Sequence, residues 1–152
     1  MKRLRLPVAI SLLCALALAS APAAAPAATT YSGDRMMNLI NYARATSGLR
    51  TLKRSRRLIR SARARAALMM RADFFSHPAR LRVPTFDRVG EILELHGGRR
   101  PRVERVFRRW ANSSSHSTVM GSRRYRWIGA ARATGSYRGH RATIWVVRFG
   151  RR

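Results

Sequence analysis

The run Arg-Ala-Thr-Ile-Trp-Val-Val-Arg-Phe at residues 141–149 decides the fold class of this chain. Its composition, rich in β-branched and aromatic residues, is typical of a strand. Trp145 and Phe149 fall on one face of that strand, and Ile144 and Val146 fall on the other. A strand that is apolar on both faces is normally covered on both faces. We therefore predict a sheet that is buried between two layers.

Helical patterns occupy the first part of the chain. Apolar side chains recur at helical spacing after Asp34, which is placed to cap a first helix that ends at Ser47-Gly48. Ser55 is placed to cap a second helix, whose outer face is lined with arginine. Pro78 disfavours helical geometry at His77, so this second helix is expected to end before it.

The remaining segments complete the predicted architecture. Residues 86–95 are predicted to be a short helical or irregular apolar piece, Pro101 suits the first turn of a third helix, and residues 116–120 could form one more helical turn. A strand is predicted over 127–134, followed by a turn over 135–140 and then by the strand at 141–149. Helices followed by a buried hairpin predict an α+β domain with helices packed on a small antiparallel sheet.

The first 27 residues have the layout of a secretory signal peptide. The basic n-region contains Lys2, Arg3 and Arg5, and the apolar core at 8–19 is too short to span a bilayer. Ala25-Pro26-Ala27 fits the small-x-small cleavage rule and places cleavage after Ala27. Cleavage after Ala23 and an uncleaved membrane anchor are the alternatives.

The domain boundaries follow from this leader. Residues 28–33 continue a low-complexity composition and are predicted to be a disordered lead-in, so the folded domain is expected over 34–152. Cleavage removes Cys14, the single cysteine, and the exported domain would then hold together by packing alone. We expect a bacterial protein that is secreted or associated with the cell envelope, with no transmembrane helix in the mature chain.

The chain is strongly basic. It has 32 Lys and Arg residues against six Asp and Glu, a formal charge of +26, and loss of the signal peptide leaves +23. Such a charge attracts polyanions, including nucleic acid, anionic lipid and phosphate-bearing wall polymers. The arginine excess is also what a GC-rich genome produces on solvated surfaces. Because an exported protein rarely meets genomic DNA, envelope adsorption is favoured over specific nucleic-acid binding.

Three side chains are candidates for a polar site. They are His77 after the second helix, Glu91 in Val-Gly-Glu, and His116 after a run of three serines. Neutral imidazoles ligate metals, and a carboxylate can accept and donate protons. Each residue taken alone could equally be an ordinary surface residue. His96 and His140 are predicted to be surface histidines, and Trp110, Trp127 and Trp145 are predicted to pack in the core.

The order of these pieces resembles the CAP superfamily (cysteine-rich secretory proteins, antigen 5 and pathogenesis-related 1 proteins), and its short cysteine-free bacterial branch in particular. Its opening helix is similar to residues 38–44 with Ser47-Gly48-Leu49, and its second helix is similar to residues 58–77. Gly90-Glu91 is similar to the start of its Gly-Glu-Asn signature. Trp110 with Ser113 and His116 is similar to its bacterial Trp-x-x-Ser segment. Residues 128–130 and 145–150 are similar to its closing strands.

The resemblance implies an α-β-α sandwich with a surface cleft that contains two histidines and one or two glutamates. In this sequence those residues are His77, Glu91 and His116, with Ser113 as a supporting residue. Ser113 stands where many eukaryotic members have a second glutamate, and Ile92 stands where the signature has asparagine. Both departures weaken an enzymatic interpretation.

Three functions stay open. The leading hypothesis is a non-enzymatic binding module for a small amphipathic, lipid-like ligand or for an anionic cell-wall polymer. The second is a hydrolase that acts on peptide or envelope substrates through His77, Glu91 and His116, with the two histidines holding a divalent metal such as Zn²⁺. A serine near His116 is a further candidate nucleophile. The third is a protein that binds polyanions by charge alone.

Overall fold

The computed structural model describes residues 28–152; the predicted signal peptide, its cleavage sites and Cys14 lie outside them. Four helices occur in this part of the chain: α1 (Asp34–Thr46), α2 (Arg56–Arg71), α3 (Val103–Ala111) and α4 (Ser114–Gly121). Five strands accompany them: β1 (Thr29–Ser32), β2 (Lys53–Arg54), β3 (Arg88–Gly97), β4 (Trp127–Tyr137) and β5 (His140–Arg151). None of these four helices combines the length and the hydropathy of a membrane-spanning segment.

The strands form one sheet in the order β1-β4-β5-β3. These four strands are antiparallel, and the two-residue β2 runs parallel to the start of β4. The β4–β5 hairpin is longer than predicted, because strand pairing continues to Tyr137 and His140. Only Arg138 and Gly139, both in the left-handed region with φ of 49° and 79°, remain to form the turn.

Helices cover both faces of the sheet, which confirms the predicted α-β-α sandwich. On one face α2 packs through Ala62, Ala66 and Met69 against Ile144 and Val146. On the other face α1, α3 and α4 surround a larger core of buried side chains. That core includes Met36, Met37, Ile40, Val106, Trp110, Met120, Trp145, Val147 and Phe149.

The predicted helices form, with small changes at their ends. Ser55 caps α2 by accepting a hydrogen bond from the backbone N–H of Leu58. Asp34 does not cap α1 as predicted. Gly33 holds the cap position, and the Asp34 carboxylate instead pairs with Arg54 Nη1 at 2.9 Å. Trp110 and Trp145 are buried as predicted, whereas Trp127 is only partly buried.

Two segments differ from the sequence prediction. Residues 29–32, expected within a disordered lead-in, form strand β1 and pair with residues 131–134. The local sequence Thr-Thr-Tyr-Ser has the β propensity that the Ala/Pro-rich surroundings obscure. Most of the segment 86–95, expected to be a helical or irregular piece, belongs to the ten-residue strand β3, because pairing with β5 along its full length satisfies its backbone.

His96 is also different from the prediction. It is buried on β3 rather than exposed on the surface. Its Nδ1 lies 3.1 Å from the carbonyl oxygen of Gly97, and its Nε2 has no hydrogen-bond partner among the described residues. His140 lies exposed beside the hairpin turn, as predicted.

Candidate functional site

Glu91 lies at the centre of the predicted site. It is on β3, directly opposite Arg148 of β5, and its side chain is completely buried. Arg148 donates to Glu91 Oε2 from Nε and lies at 2.9 Å through Nη2 as well, and it also donates to the hydroxyl of Ser61 on α2. Hydrogen bonds between a guanidinium and a carboxylate are charge-assisted and stronger than those between neutral groups. Arg148 therefore joins Glu91 of β3 to Ser61 of α2.

His77 binds the other oxygen of this carboxylate. It lies in the loop after α2, and its Nδ1 is 3.0 Å from Glu91 Oε1. A carboxylate can only accept, so the imidazole carries a proton on Nδ1. The His77 side chain is 59% exposed, which leaves the ring accessible from solvent.

His116 lies on α4, on the other side of β3. Its Nδ1 is 2.8 Å from the hydroxyl of Ser113, and its ring centroid is 6.3 Å from that of Trp110. Burial lowers the pKa of His116; Glu94 opposes this shift, and the charge of His77 adds to it. His116 is therefore held towards its neutral form and lies within the electrostatic field of His77.

The structure thus joins His77 directly to Glu91 and His116 directly to Ser113. Side chains alternate along β3, so Glu91 faces the α2 layer while Glu94 faces the α3–α4 layer, where it lies 2.7 Å from Arg109. The two histidines approach the edge strand from opposite layers. No hydrogen bond joins His116 to Glu91 within the described residues.

Sequence reasoning missed Arg148, Ser61 and Glu94. For Arg148 the sequence contains a signal that could have predicted a buried ion pair. Arg148 lies between Val147 and Phe149 on a strand that is apolar on both faces, and an arginine buried there needs an acidic partner. Ser61 and Glu94 had none: Ser61 lies among the exposed arginines of α2, and Glu94 lies in an apolar segment that was not predicted to be a strand.

The arrangement does not fit a zinc site with three protein ligands. Among residues 28–152 no three His, Cys, Asp or Glu side chains cluster as a metal ion requires. Both oxygens of Glu91 are already bonded, one by His77 and one by Arg148. The carboxylate is thus a buried anchor rather than a free ligand.

A second set of features lies between α1, α3 and α4. A cavity of about 160 Å³ there is lined mainly by apolar side chains. These lining residues include Ile40, Ala43, Leu49, Phe107, Ala111 and Met120. A neighbouring cavity of about 190 Å³ shares Arg44 and Leu49 with it and is otherwise lined by Gly48, Arg50, Arg123 and Arg126. An apolar recess therefore opens beside a cluster of guanidinium groups.

Arg44 stands at the junction of the two cavities. It is buried at the end of α1, where its guanidinium donates to the carbonyl oxygens of Arg50, Met120 and Ser122. No carboxylate pairs with it in the described part of the chain, and burial together with the charge of Arg126 lowers its pKa. The positive charge at this junction is hydrogen-bonded but not neutralised.

Residues 37–149 match the family model described as "CAP: Cysteine-rich secretory protein family". This chain belongs to the CAP family. The match runs from α1 to β5 and includes His77, Glu91 and His116. No curated protein matches this chain in sequence.

Solved structures share the fold of this CAP domain. An outer surface protein from Borrelia burgdorferi superposes with a TM-score of 0.64 at 22% identity, covering 82% of this chain and 98% of that one. An extracellular protein containing an SCP domain from Bacillus anthracis superposes with a TM-score of 0.60 at 18% identity, covering 78% of this chain and 40% of that one. At these identities the likeness is one of fold.

Proposed function

We propose that this protein is an exported CAP-domain binding module that holds a small anionic amphiphile between α1, α3 and α4. The observation that carries the proposal is the shared wall of the two cavities described above. An apolar recess and an arginine cluster meet at Arg44 and Leu49. An amphiphile with a hydrocarbon tail and an acidic head group has the matching chemistry.

The apolar cavity sets the size of the tail. A cavity of about 150 Å³ lined by aliphatic and aromatic side chains holds a molecule the size of benzene. The cavity of about 160 Å³ beside Phe107 and Met120 therefore suits a short or partly inserted acyl chain. Apolar lining with a few polar groups at one end is the usual composition of a small-ligand site.

The arginine cluster selects the head group. Arg50, Arg123 and Arg126 line the second cavity, and no acidic residue does. Guanidinium groups bind carboxylate and phosphate through paired N–H donors. A bound anion would also compensate the buried charge of Arg44, which only carbonyl oxygens now contact.

Export is supported by the N-terminal sequence and by the descriptions of structural neighbours. Residues 1–27 have the basic, apolar and small-residue regions of a signal peptide. The two neighbours are described as an outer surface protein and an extracellular protein. A fractionation of the producing cells, with N-terminal sequencing of the exported form, tests this part of the proposal.

Binding of dodecanoate, measured by calorimetry and by native mass spectrometry, tests the ligand class. Ala111→Phe places a ring in the apolar cavity and is expected to abolish binding. Ala64→Phe, the same change at an exposed position of α2, is expected to leave binding unchanged. Arg123→Gln is expected to weaken dodecanoate about tenfold and to leave the uncharged dodecanol unaffected.

Two results contradict the proposal. One is the absence of binding by any acyl chain from eight to sixteen carbons. The other is dodecanoate binding that survives Ala111→Phe in a folded protein, because the tail then occupies another surface.

A second candidate function rests on the pair Ser113–His116. A serine hydroxyl 2.8 Å from an imidazole held towards neutrality has the contact of a nucleophile and its base. The hydroxyl also contacts Ser115, and no carboxylate is hydrogen-bonded to the His116 ring among the described residues. Ester hydrolysis that is lost in Ser113→Ala would establish this function, and unchanged background hydrolysis would exclude it.

A further inference from the structure

Arg132, in the middle of β4, has no acidic partner among the described residues. Its guanidinium carbon lies 3.9 Å from the ring centroid of Tyr31 on β1 and 5.9 Å from that of Trp145. The residue is half-buried, and burial lowers its pKa. Among residues 28–152 its guanidinium makes no ion pair. The cation is thus held in place by aromatic rings and left free to bind an anion.

A polar cavity surrounds this guanidinium. It measures about 220 Å³ and contains a second cation, Arg99, beside Arg132. The rest of its lining is formed by Thr29, Tyr31, Thr134, Gly135 and Ser136. Two guanidinium groups and four hydroxyl groups therefore line one recess.

A larger basic recess shares Arg99 with this cavity. Arg99 also lines a neighbouring cavity of about 590 Å³ together with Arg100, Arg102 and Arg141. All six acidic residues of the chain lie within the described part, and none of them lines either cavity. Four of them pair with arginines elsewhere. Five arginines therefore line the two cavities, and we call them the arginine row: Arg132, Arg99, Arg100, Arg102 and Arg141.

The loop that carries three of these arginines is fixed by the sheet. The hydroxyl of Thr143 donates to the carbonyl oxygen of Gly98 at 2.8 Å, and the indole of Trp145 donates to that of Pro101 at 2.9 Å. The N–H of Gly98 donates to the carbonyl oxygen of Arg141 at 2.7 Å. Because β5 holds both ends of the loop, the row is built before a ligand arrives.

We propose that the arginine row is a second binding site, separate from the amphiphile cavity, for a phosphodiester polymer of a polyol or sugar. Guanidinium groups bind phosphate through paired N–H donors, and a row of them suits a ligand whose phosphates repeat. The hydroxyl groups around Arg132 supply the hydrogen bonds that a polyol or sugar unit requires.

The lining favours such a polymer over nucleic acid. Single-stranded nucleic acid is bound by open aromatic faces on which successive bases stack. Tyr31 is the single aromatic residue lining the two cavities, and Arg132 covers one face of it. The site therefore offers charge and hydroxyl groups rather than a stacking platform.

Binding of fluorescently labelled poly(glycerol phosphate) to the exported chain tests the proposal, measured by anisotropy from 50 to 300 mM salt. Arg99→Gln is expected to weaken binding at least tenfold, because Arg99 belongs to both cavities and is exposed. Arg63→Gln, on the exposed face of α2, removes the same charge and is expected to weaken binding less than twofold. Equal losses in the two variants would show adsorption by net charge and overturn the site.

Two further measurements separate the ligand class. Ser136→Ala is expected to weaken poly(glycerol phosphate) threefold or more and to weaken inorganic polyphosphate less, since polyphosphate has no alcohol groups for the serine hydroxyl to bind. A single-stranded oligonucleotide of equal charge is expected to bind at least tenfold more weakly. Equal or tighter oligonucleotide binding that depends on Arg99 would assign the row to nucleic acid and contradict the proposal.

The two proposed sites can be distinguished in one set of variants. Ala111→Phe is expected to abolish dodecanoate binding and leave the polymer bound. Arg99→Gln is expected to do the reverse. Loss of both ligands in either folded variant would contradict the assignment of separate sites.

Discussion

The Nδ1 of His77 lies 3.0 Å from Oε1 of Glu91, so a largely exposed imidazole is bonded to a completely buried carboxylate. The other oxygen of that carboxylate faces Arg148, which ties β3 to β5 and, through Ser61, to α2. The contact joins the loop after α2 to the sheet. Within the site, Glu91 is therefore the buried residue that makes the structural contacts, and His77 is the residue that solvent can reach.

The first prediction concerns Glu91→Gln. The change leaves the buried guanidinium of Arg148 without its counter-charge, and removing one member of a buried ion pair costs about 3–5 kcal/mol. We expect the free energy of unfolding, measured in urea, to fall by about that amount. Asp34→Asn, which breaks an exposed pair with Arg54, is expected to cause little change.

A double variant completes this test. Glu91→Gln with Arg148→Met removes both charges, and it is expected to recover part of the lost stability because no uncompensated charge remains buried. If Glu91→Gln alone is as stable as the original chain, the buried ion pair is not a stabilising contact.

The second prediction concerns pH. Because burial lowers the pKa of His116, the unfolded chain binds a proton at pH values at which the folded chain does not. The contribution of His116 is therefore complete above about pH 6.5 and is lost as the pH falls through that value, until the folded imidazole is also protonated. Urea midpoints between pH 5 and 8 should show this loss.

His116→Gln should flatten that part of the profile. His140→Gln, a change at an exposed position beside the hairpin turn, serves as the control and should retain the slope. An NMR titration of the His116 ring measures the pKa directly, and a value at or above 6.5 would contradict the prediction.

The third prediction compares two glycines. A Cβ on Gly129 of β4 would overlap the backbone of α2 at Leu58 and Ile59, whereas one on Gly121 at the end of α4 would meet open space. Gly129→Ala is expected to lower the free energy of unfolding by about 1–3 kcal/mol, the usual range for overpacking. Gly121→Ala is expected to be neutral or stabilising by about 0.5–1 kcal/mol, because it reduces the freedom of the unfolded chain.

Thermal unfolding of the two variants measures the difference. Equal effects would show that α2 moves away from β4 at little cost, contrary to the close approach in the structure.

The fourth prediction concerns Arg44. Replacement by Met keeps the apolar part of the side chain and removes the hydrogen bonds to Arg50, Met120 and Ser122. A hydrogen bond to a charged group contributes about 1.5–3 kcal/mol, and the loss here is expected to be at least that large. Hydrogen exchange should rise at residues 120–123, and unchanged exchange there would mean that Arg44 does not hold this segment.

The layered fold could be predicted from the sequence because its signals are local. The two-sided apolar pattern of residues 141–149 required cover on both faces, and periodic apolar positions identified α1, α2 and α3. Strand β3 could not be recognised in the same way, because its charged residues Glu91 and Glu94 are buried or half-buried by partners that are distant in sequence. Strand β1 has only four residues, too few to show an alternation of apolar and polar side chains.

The candidate site was predictable only in part. The residue types at 77, 91 and 116 suggested a polar cleft, but the distances depend on how α4 and the loop after α2 meet the edge of β3. The role of Arg148 is a tertiary property, since it follows from strand register. Both arginine-lined recesses also arise from residues that only the fold brings together.

The hydrogen bonds that Arg44 donates across the domain do not depend on redox conditions. The folded domain contains no thiol, so the end of α1 is fastened to the chain beyond α4 by hydrogen bonds to a guanidinium rather than by a covalent bridge. Such a fastening needs neither an oxidant nor an isomerase to form, and reductants do not break it. The domain should keep its shape equally well in anoxic and in aerated surroundings.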